Sequence, residues 1–199
     1  MKVLIACEYS GTVAQAFRDK GHDAISCDLL ESELTGRQFH YTGDVRDILN
    51  NGWDLMIGHP PCTDLAISGA RWFPEKIADG RQQKALEFVE LLMNAPIKHI
   101  CIENPRSVIS SKIRKPDQII QPWMFGHEAT KSTCLWLKNL PPLIPTKIVG
   151  KGERHVTKSG KSLPAWYNLP PSEDRWKIRS KTFQGIADAM AEQWSYLNV

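Results

Sequence analysis

Short apolar runs alternate with stretches of helical period along the first half of the chain. "KVLIAC" reads as a buried strand, and "GTVAQAFRDKG" as a short helix with Gly21 as its stop. "DAISCDLL" gives a second strand. "VRDILNN" is a helical turn, and "GWDLMIGH" is a further strand. In "RQQKALEFVELLMNA" the apolar positions 85, 88, 89 and 92 form one helical face. "KHICIE" is another strand, ended by Asn104-Pro105. This β-α-β-α rhythm predicts an α/β fold with a doubly wound, mostly parallel sheet. The second half is less regular. "STCLWLKNL" reads as a strand, Pro141 to Pro171 as loops with little core, and "KTFQGIADAMAEQWSYL" as a closing amphipathic helix over about 182–197. No internal repeat is visible.

In parallel sheets ligands bind beyond the carboxyl ends of the strands. Glu8, Asp28, Cys62 and Glu103 all fall at predicted strand ends. After Leu55–Ile57 come Gly58, His59, Pro60, Pro61 and Cys62. Two prolines can neither continue a helix nor donate ladder hydrogen bonds. The chain must leave its strand there in a stiff turn that presents Cys62. A lone cysteine is usually a small apolar core residue, but a presented one is a nucleophile once ionised. Glu103 precedes Asn104-Pro105, which is expected to force the chain out of the sheet. Burial there is expected to keep its carboxyl protonated and able to donate.

Gly11, at a strand-to-helix turn, lets backbone approach a ligand at a helix N-terminus. Asp28 lies seventeen residues further on, where an acid typically binds ribose hydroxyls. Asp44 follows at the end of a third short strand or loop, placed to accept from an adenine amino group. Each acid alone is ordinary surface charge; in this order they outline an adenosine site.

Length and composition narrow the class. A chain of 199 residues with 42% hydrophobic and 24% charged residues suits one globular domain. The N-terminal apolar run is too short for a signal peptide, and no run reaches membrane-span length. Five widely spaced cysteines without a C-x-x-C pair argue against a disulfide framework or a metal site, and for a reducing, cytoplasmic compartment. Net charge is +3, unevenly spread. Lys138 to Lys181 holds ten Lys/Arg against three acids, a local +7, with −4 elsewhere. That segment is either a solvated loop or a phosphate-binding surface. Trp166, Tyr167 and Trp176 interleave with the charge and favour the second.

Together these residues resemble the DNA cytosine-5 methyltransferases. The resemblance rests on "EYSG" at 8–11, Asp28, Asp44, "PPC" at 60–62 and "ENP" at 103–105, and covers about residues 1–137. "FQGIADAMAEQW" is similar to the family's last motif. Methyltransferases of exocyclic amino groups carry an aromatic residue where Cys62 stands. The resemblance implies a class I methyltransferase fold using S-adenosylmethionine, with Glu8, Ser10, Gly11, Asp28, Asp44 and Pro60 around the cofactor. It implies Cys62 as nucleophile and Glu103 as the group steadying the ring. DNA, duplex or single-stranded, would meet Arg106, Lys131, Lys147, Lys151, Arg154, Lys158 and Lys161. Three departures stand out. His59 and Thr63 flank Pro-Pro-Cys where the family has Gly and Gln. Ala129, Lys131 and Thr133 stand where the family has Gln-x-Arg-x-Arg. Only about 45 residues lie where a target-recognition domain is expected. This is the pattern of a minimal, phage-type member, with a basic insertion at about 139–180 and recognition supplied by that flap, a partner protein or a second copy. The competing readings are a non-catalytic nucleic-acid-binding protein and a methyltransferase of free pyrimidine nucleotides.

Overall fold

The computed structural model describes residues 1–34, 37–157, 159–165, 172–173 and 175–197. Its elements are β1 (Lys2–Ala6), α1 (Thr12–Asp19), β2 (Asp23–Asp28), β3 (His40–Thr42), β4 (Leu55–Gly58), α2 (Phe73–Ala78) and α3 (Arg81–Met93). There follow β5 (His99–Pro105), α4 (Ile109–Lys112), β6 (Gln118–Ile120), β7 (Thr133–Lys138), β8 (Arg154–Val156), β9 (Ser162–Pro164), α5 (Arg175–Ser180) and α6 (Gln184–Trp194).

Seven strands form one sheet in the order β3-β2-β1-β4-β5-β7-β6. The first five run parallel; β7 is antiparallel to both β5 and β6. β1 is central, so its side chains are covered on both faces. Val3 and Ile5 join α1 and α6 in one core, while Leu4 and Ala6 join α3 in the other. All four are fully buried. That period-2 split explains why the strand reads as a continuous apolar run. Burying each larger side chain contributes about 1.5–3 kcal/mol.

The closing helix packs against the first one. Lys20 pairs with Glu192, and His22 Nε2 meets Ser195 Oγ at 2.7 Å. Gly185 sits so tightly that a Cβ there would lie 1.9 Å from the Phe125 carbonyl oxygen, and its N–H donates to His127 Nε2 at 2.8 Å.

Several expectations change. β5 does not stop at Asn104; it continues through Pro105, paired with Thr133 of β7. Its pairing with β4 ends at Ile102, so Pro105 lies where the strand has a neighbour on one side only. The segment expected to be loops contains the β8–β9 hairpin. On α3 the buried stripe is Gln82, Leu86, Val89 and Leu92, with Ala85 and Phe88 only flanking it. Among the described residues no helix is long and apolar enough to cross a membrane.

Candidate active site

Adjacent strands β4 and β5 carry the two central side chains. Beyond β4, the His59 N–H still donates to the Ala6 carbonyl at 2.9 Å. The two prolines then turn the chain outward. Asn104, buried, donates from Nδ2 to the Pro60 carbonyl at 2.8 Å, tying one motif to the other. The Cys62 carbonyl accepts from Leu65 and Ala66, and Ile67 N–H donates to the Arg106 carbonyl. Buried Lys76 closes the turn: it donates to the Thr63 carbonyl and lies 3.2 Å from Asp64. Cys62 is therefore held on a braced loop, with its side chain exposed. The protein around it desolvates the thiol, Glu103 repels the thiolate, and the pKa rises. Lys131 and Arg179 pull the other way without prevailing.

Glu103 is not the protonated acid expected from its burial. Desolvation raises its carboxyl pKa, but His59 Nδ1 lies 2.9 Å from Oε2, and that hydrogen bond and charge, with Lys131, bring the net shift below the ordinary value. His59 is the converse case: burial lowers its pKa, and Glu103 and Glu8 more than offset this against the opposing charge of Lys131. Between the two ordinary values, 4.5 and 6.5, the pair is a carboxylate facing an imidazolium. His59 thus ties the turn beyond β4 to the Glu103 carboxyl on β5. Its Nε2 is buried with no hydrogen-bond partner among the described residues.

The expected cofactor residues lie around the tip of β1. Glu8 is buried and caps α1, accepting from Val13 N–H at 2.7 Å and Ala14 N–H at 3.2 Å. Ser10 Oγ donates to the same carboxylate at 3.2 Å. Burial keeps the Glu8 carboxyl above its ordinary value despite His59 and these donors. Gly11, at φ 68°, precedes the helix, with Leu34 folded over it so closely that a Cβ would meet Cδ1 at 2.6 Å. Asp28 ends β2 and accepts from Leu30 N–H at 2.9 Å through Oδ1; Oδ2 has no hydrogen bond among the described residues. Asp44 accepts from Arg46 N–H at 2.9 Å and pairs with its guanidinium at 2.7 Å. Cys7 lies within the field of both acids: burial first, then Asp28, Cys27 and Asp44, push its thiol to about 12. The Pro60 carbonyl is occupied by Asn104.

The basic residues divide. Lys131 is at the site, electrostatically coupled to Glu103 and Cys62, with burial lowering its pKa. Its Nζ donates to the Arg179 carbonyl at 2.9 Å. Arg106 is exposed at the end of β5. Lys147 and Lys151 are exposed on a segment laid along residues 122–126, with Lys151 5.4 Å from the Trp123 ring. Arg154 spends its guanidinium on Ser162 within the hairpin, at 2.9 and 2.8 Å; Lys161 is exposed beside it. Lys158, Trp166 and Tyr167, and the side chain of Trp176, lie outside the described residues.

Sequence reading passed over three contributors. Asn104 was legible only as part of a motif, and nothing in the sequence singles out Lys76. Arg179 was counted in the basic segment but not placed at the site. It arrives with α5, which is tied down where Tyr9 Oη donates to the Lys177 carbonyl at 3.0 Å and lies 2.9 Å from Ser180 Oγ.

No protein-family model matches the chain, and no curated protein is similar to it. A solved structure is similar in fold: a candidate DNA modification methyltransferase encoded within an E. coli prophage, at 17% identity and a TM-score of 0.52. The match covers 76% of this chain, which spans only 53% of that structure's length. The shared architecture is the expected one, a Rossmann-like α/β fold with a mostly parallel seven-stranded sheet.

Proposed function

We propose that the protein is an S-adenosylmethionine-dependent methyltransferase acting on carbon 5 of cytosine in DNA through a transient Cys62 adduct. The observation that carries this reading is the Asn104–Pro60 hydrogen bond, which holds the Cys62 turn against the Glu103 strand. Two reactive groups on neighbouring strand ends are what a base needs when one edge must be attacked and steadied at once.

The cofactor region fits the group. Glu8 and Ser10 order the N-terminus of α1 behind Gly11, Asp28 would hold the ribose, Asp44 the adenine amino group, and Pro60 the wall between cofactor and base. S-adenosylmethionine supplies an electrophilic methyl group when bound. Everything else falls to the chain. Cys62 forms a bond to carbon 6, which makes carbon 5 nucleophilic. Lys131 and Arg179 favour the thiolate and draw the charge that develops on the ring. Glu103 accepts from the exocyclic amino group. After transfer the carbon-5 proton leaves and the Cys62 bond breaks. In this reading residues 1–199 are one catalytic domain, and residues 139–180 a basic insertion. Arg106, Lys147, Lys151, Arg154, Lys158 and Lys161 would lie along DNA phosphate.

The test is an oligonucleotide carrying 5-fluorocytosine, whose fluorine replaces the departing proton and stalls the adduct. Wild-type protein with cofactor is expected to become covalently attached. Cys62→Ser should abolish attachment, since a hydroxyl ionises far less than a thiol. If cofactor binds but duplex, single strand and free nucleotide all give neither adduct nor methylated product, the protein is a binder.

A further inference from the structure

The geometry points to His59 as the proton store of the site: a positioning residue that fixes Glu103 and supplies, through it, the proton that ring nitrogen 3 must gain when Cys62 adds. The inference rests on the cytosine-5 reading above.

Addition of sulfur to carbon 6 pushes an electron pair onto nitrogen 3, which then takes up a proton. Glu103 is the group on β5 placed at the base, yet in this protein it is a carboxylate and has no proton of its own to give. The nearest proton is on His59 Nδ1, 2.9 Å from Oε2. The imidazole is mostly buried, its side chain 10% exposed. Its other nitrogen, Nε2, is buried without a hydrogen-bond partner among the described residues. Glu103 is the one hydrogen-bond partner of its ring among the described residues. Charges face His59 from each neighbouring element: Glu8 beyond β1, Glu103 on β5 and Lys131 before β7. The Glu103 hydrogen bond and charge, with a smaller contribution from Glu8, outweigh burial and Lys131 and favour the imidazolium.

The step balances. The Cys62 sulfur bonds to carbon 6, and the carbon 5–carbon 6 π pair shifts through carbon 4 towards nitrogen 3. Nitrogen 3 takes a proton from the Glu103 carboxyl as that group takes one from His59 Nδ1. His59 ends neutral and Glu103 ends as it began. When the Cys62 bond breaks, the proton returns by the same path. Once His59 has lost its proton in the free protein, the pair carries a net negative charge beside Cys62. Addition is then disfavoured twice, for want of a proton and by repulsion of the thiolate.

The experiment follows the rate of covalent attachment to the 5-fluorocytosine oligonucleotide across pH 5.5–9, with cofactor affinity measured in parallel. In the wild type the rate, corrected for thiol ionisation with an alkylating probe of Cys62, is expected to fall as pH rises through the His59 pKa. His59→Asn keeps an N–H donor for Glu103 but has no titrating proton. It should bind cofactor within about twofold of the wild type, attach at least tenfold more slowly at pH 6.5, and lack the His59 limb. His59→Ala should be slower still. If His59→Asn matches the wild type in rate and pH profile, His59 is only structural and the inference fails, while the methyltransferase reading stands. If wild-type protein binds cofactor but gives no adduct at any pH, both fail together.

Discussion

Replacing Glu103 by Gln removes the charge from the buried pair while leaving an oxygen that accepts from His59 Nδ1. The pH dependence of its cost follows from the two shifts. Glu103, with its pKa lowered from 4.5, contributes stability above that value and loses it as pH falls through the folded pKa. His59, raised from 6.5, contributes below that value and loses it as pH rises through the folded pKa. Both contributions are complete only between the two ordinary values, so pH 5.5 lies inside the window and pH 8.5 outside it. A hydrogen bond to a charged group is worth about 1.5–3 kcal/mol and a neutral one about 0.5–1.5. The variant should therefore lose about 1–2 kcal/mol at pH 5.5. With a urea slope near 2 kcal/mol/M, the midpoint falls by about 0.5–1 M. At pH 8.5, above the ordinary His59 value, its contribution is diminished, and the difference should be smaller than at pH 5.5. Urea unfolding of both proteins at the two pH values, without cofactor, reads this directly. A loss equal at both pH values, or larger at 8.5, refutes the ion-pair assignment.

Asp28→Ala should weaken S-adenosylmethionine binding about tenfold, roughly 1.4 kcal/mol, with little change in stability; calorimetry giving wild-type affinity would remove Asp28 from the cofactor site. Gly185→Ala drives a Cβ onto the Phe125 carbonyl. Neither backbone can yield cheaply, so the cost should be about 3 kcal/mol and the melting temperature should drop by about 6–12 °C. A drop of less than 2 °C would show that α6 is not seated as described. DNA affinity should fall steeply with salt, and reversing Lys147, Lys151 and Lys161 should flatten the logarithmic slope by about 0.9 for each phosphate that is no longer neutralised. A salt-independent affinity, or none at low salt, would leave the basic segment a solvated loop.

What was legible in the sequence was whatever is written locally. Strands β1, β4, β5 and β7 contain short continuous apolar runs because both their faces are covered, and Pro60-Pro61 marks the exit from β4 unambiguously. β6, three residues long, and the polar β8–β9 hairpin carry too little pattern to register. The face of α3 was misjudged because a polar residue, Gln82, points inward and donates to the Asp64 carbonyl. The charge state of Glu103 was misjudged for a different reason. Burial is foreseeable from a strand position, but the imidazole that reverses its effect is 44 residues away in sequence. Glu8 was placed correctly at a strand end, yet its capping of α1 appears only once the helix direction is known.

The pairing of α1 with α6 also sets a schedule. Phe17 and Val13 share one core with Val3 and Ile5 of β1 but also with Ile186, Met190 and Trp194, so the apolar face of α1 lacks its α6 cover until residues 184–194 have been made. At about 5–20 residues per second, translation leaves that face waiting roughly ten to thirty seconds. Nascent protein therefore passes through a stage in which the α1 side of the sheet has its strands but not its closing helix, and that stage, rather than the finished fold, is where chaperones have an apolar surface to hold.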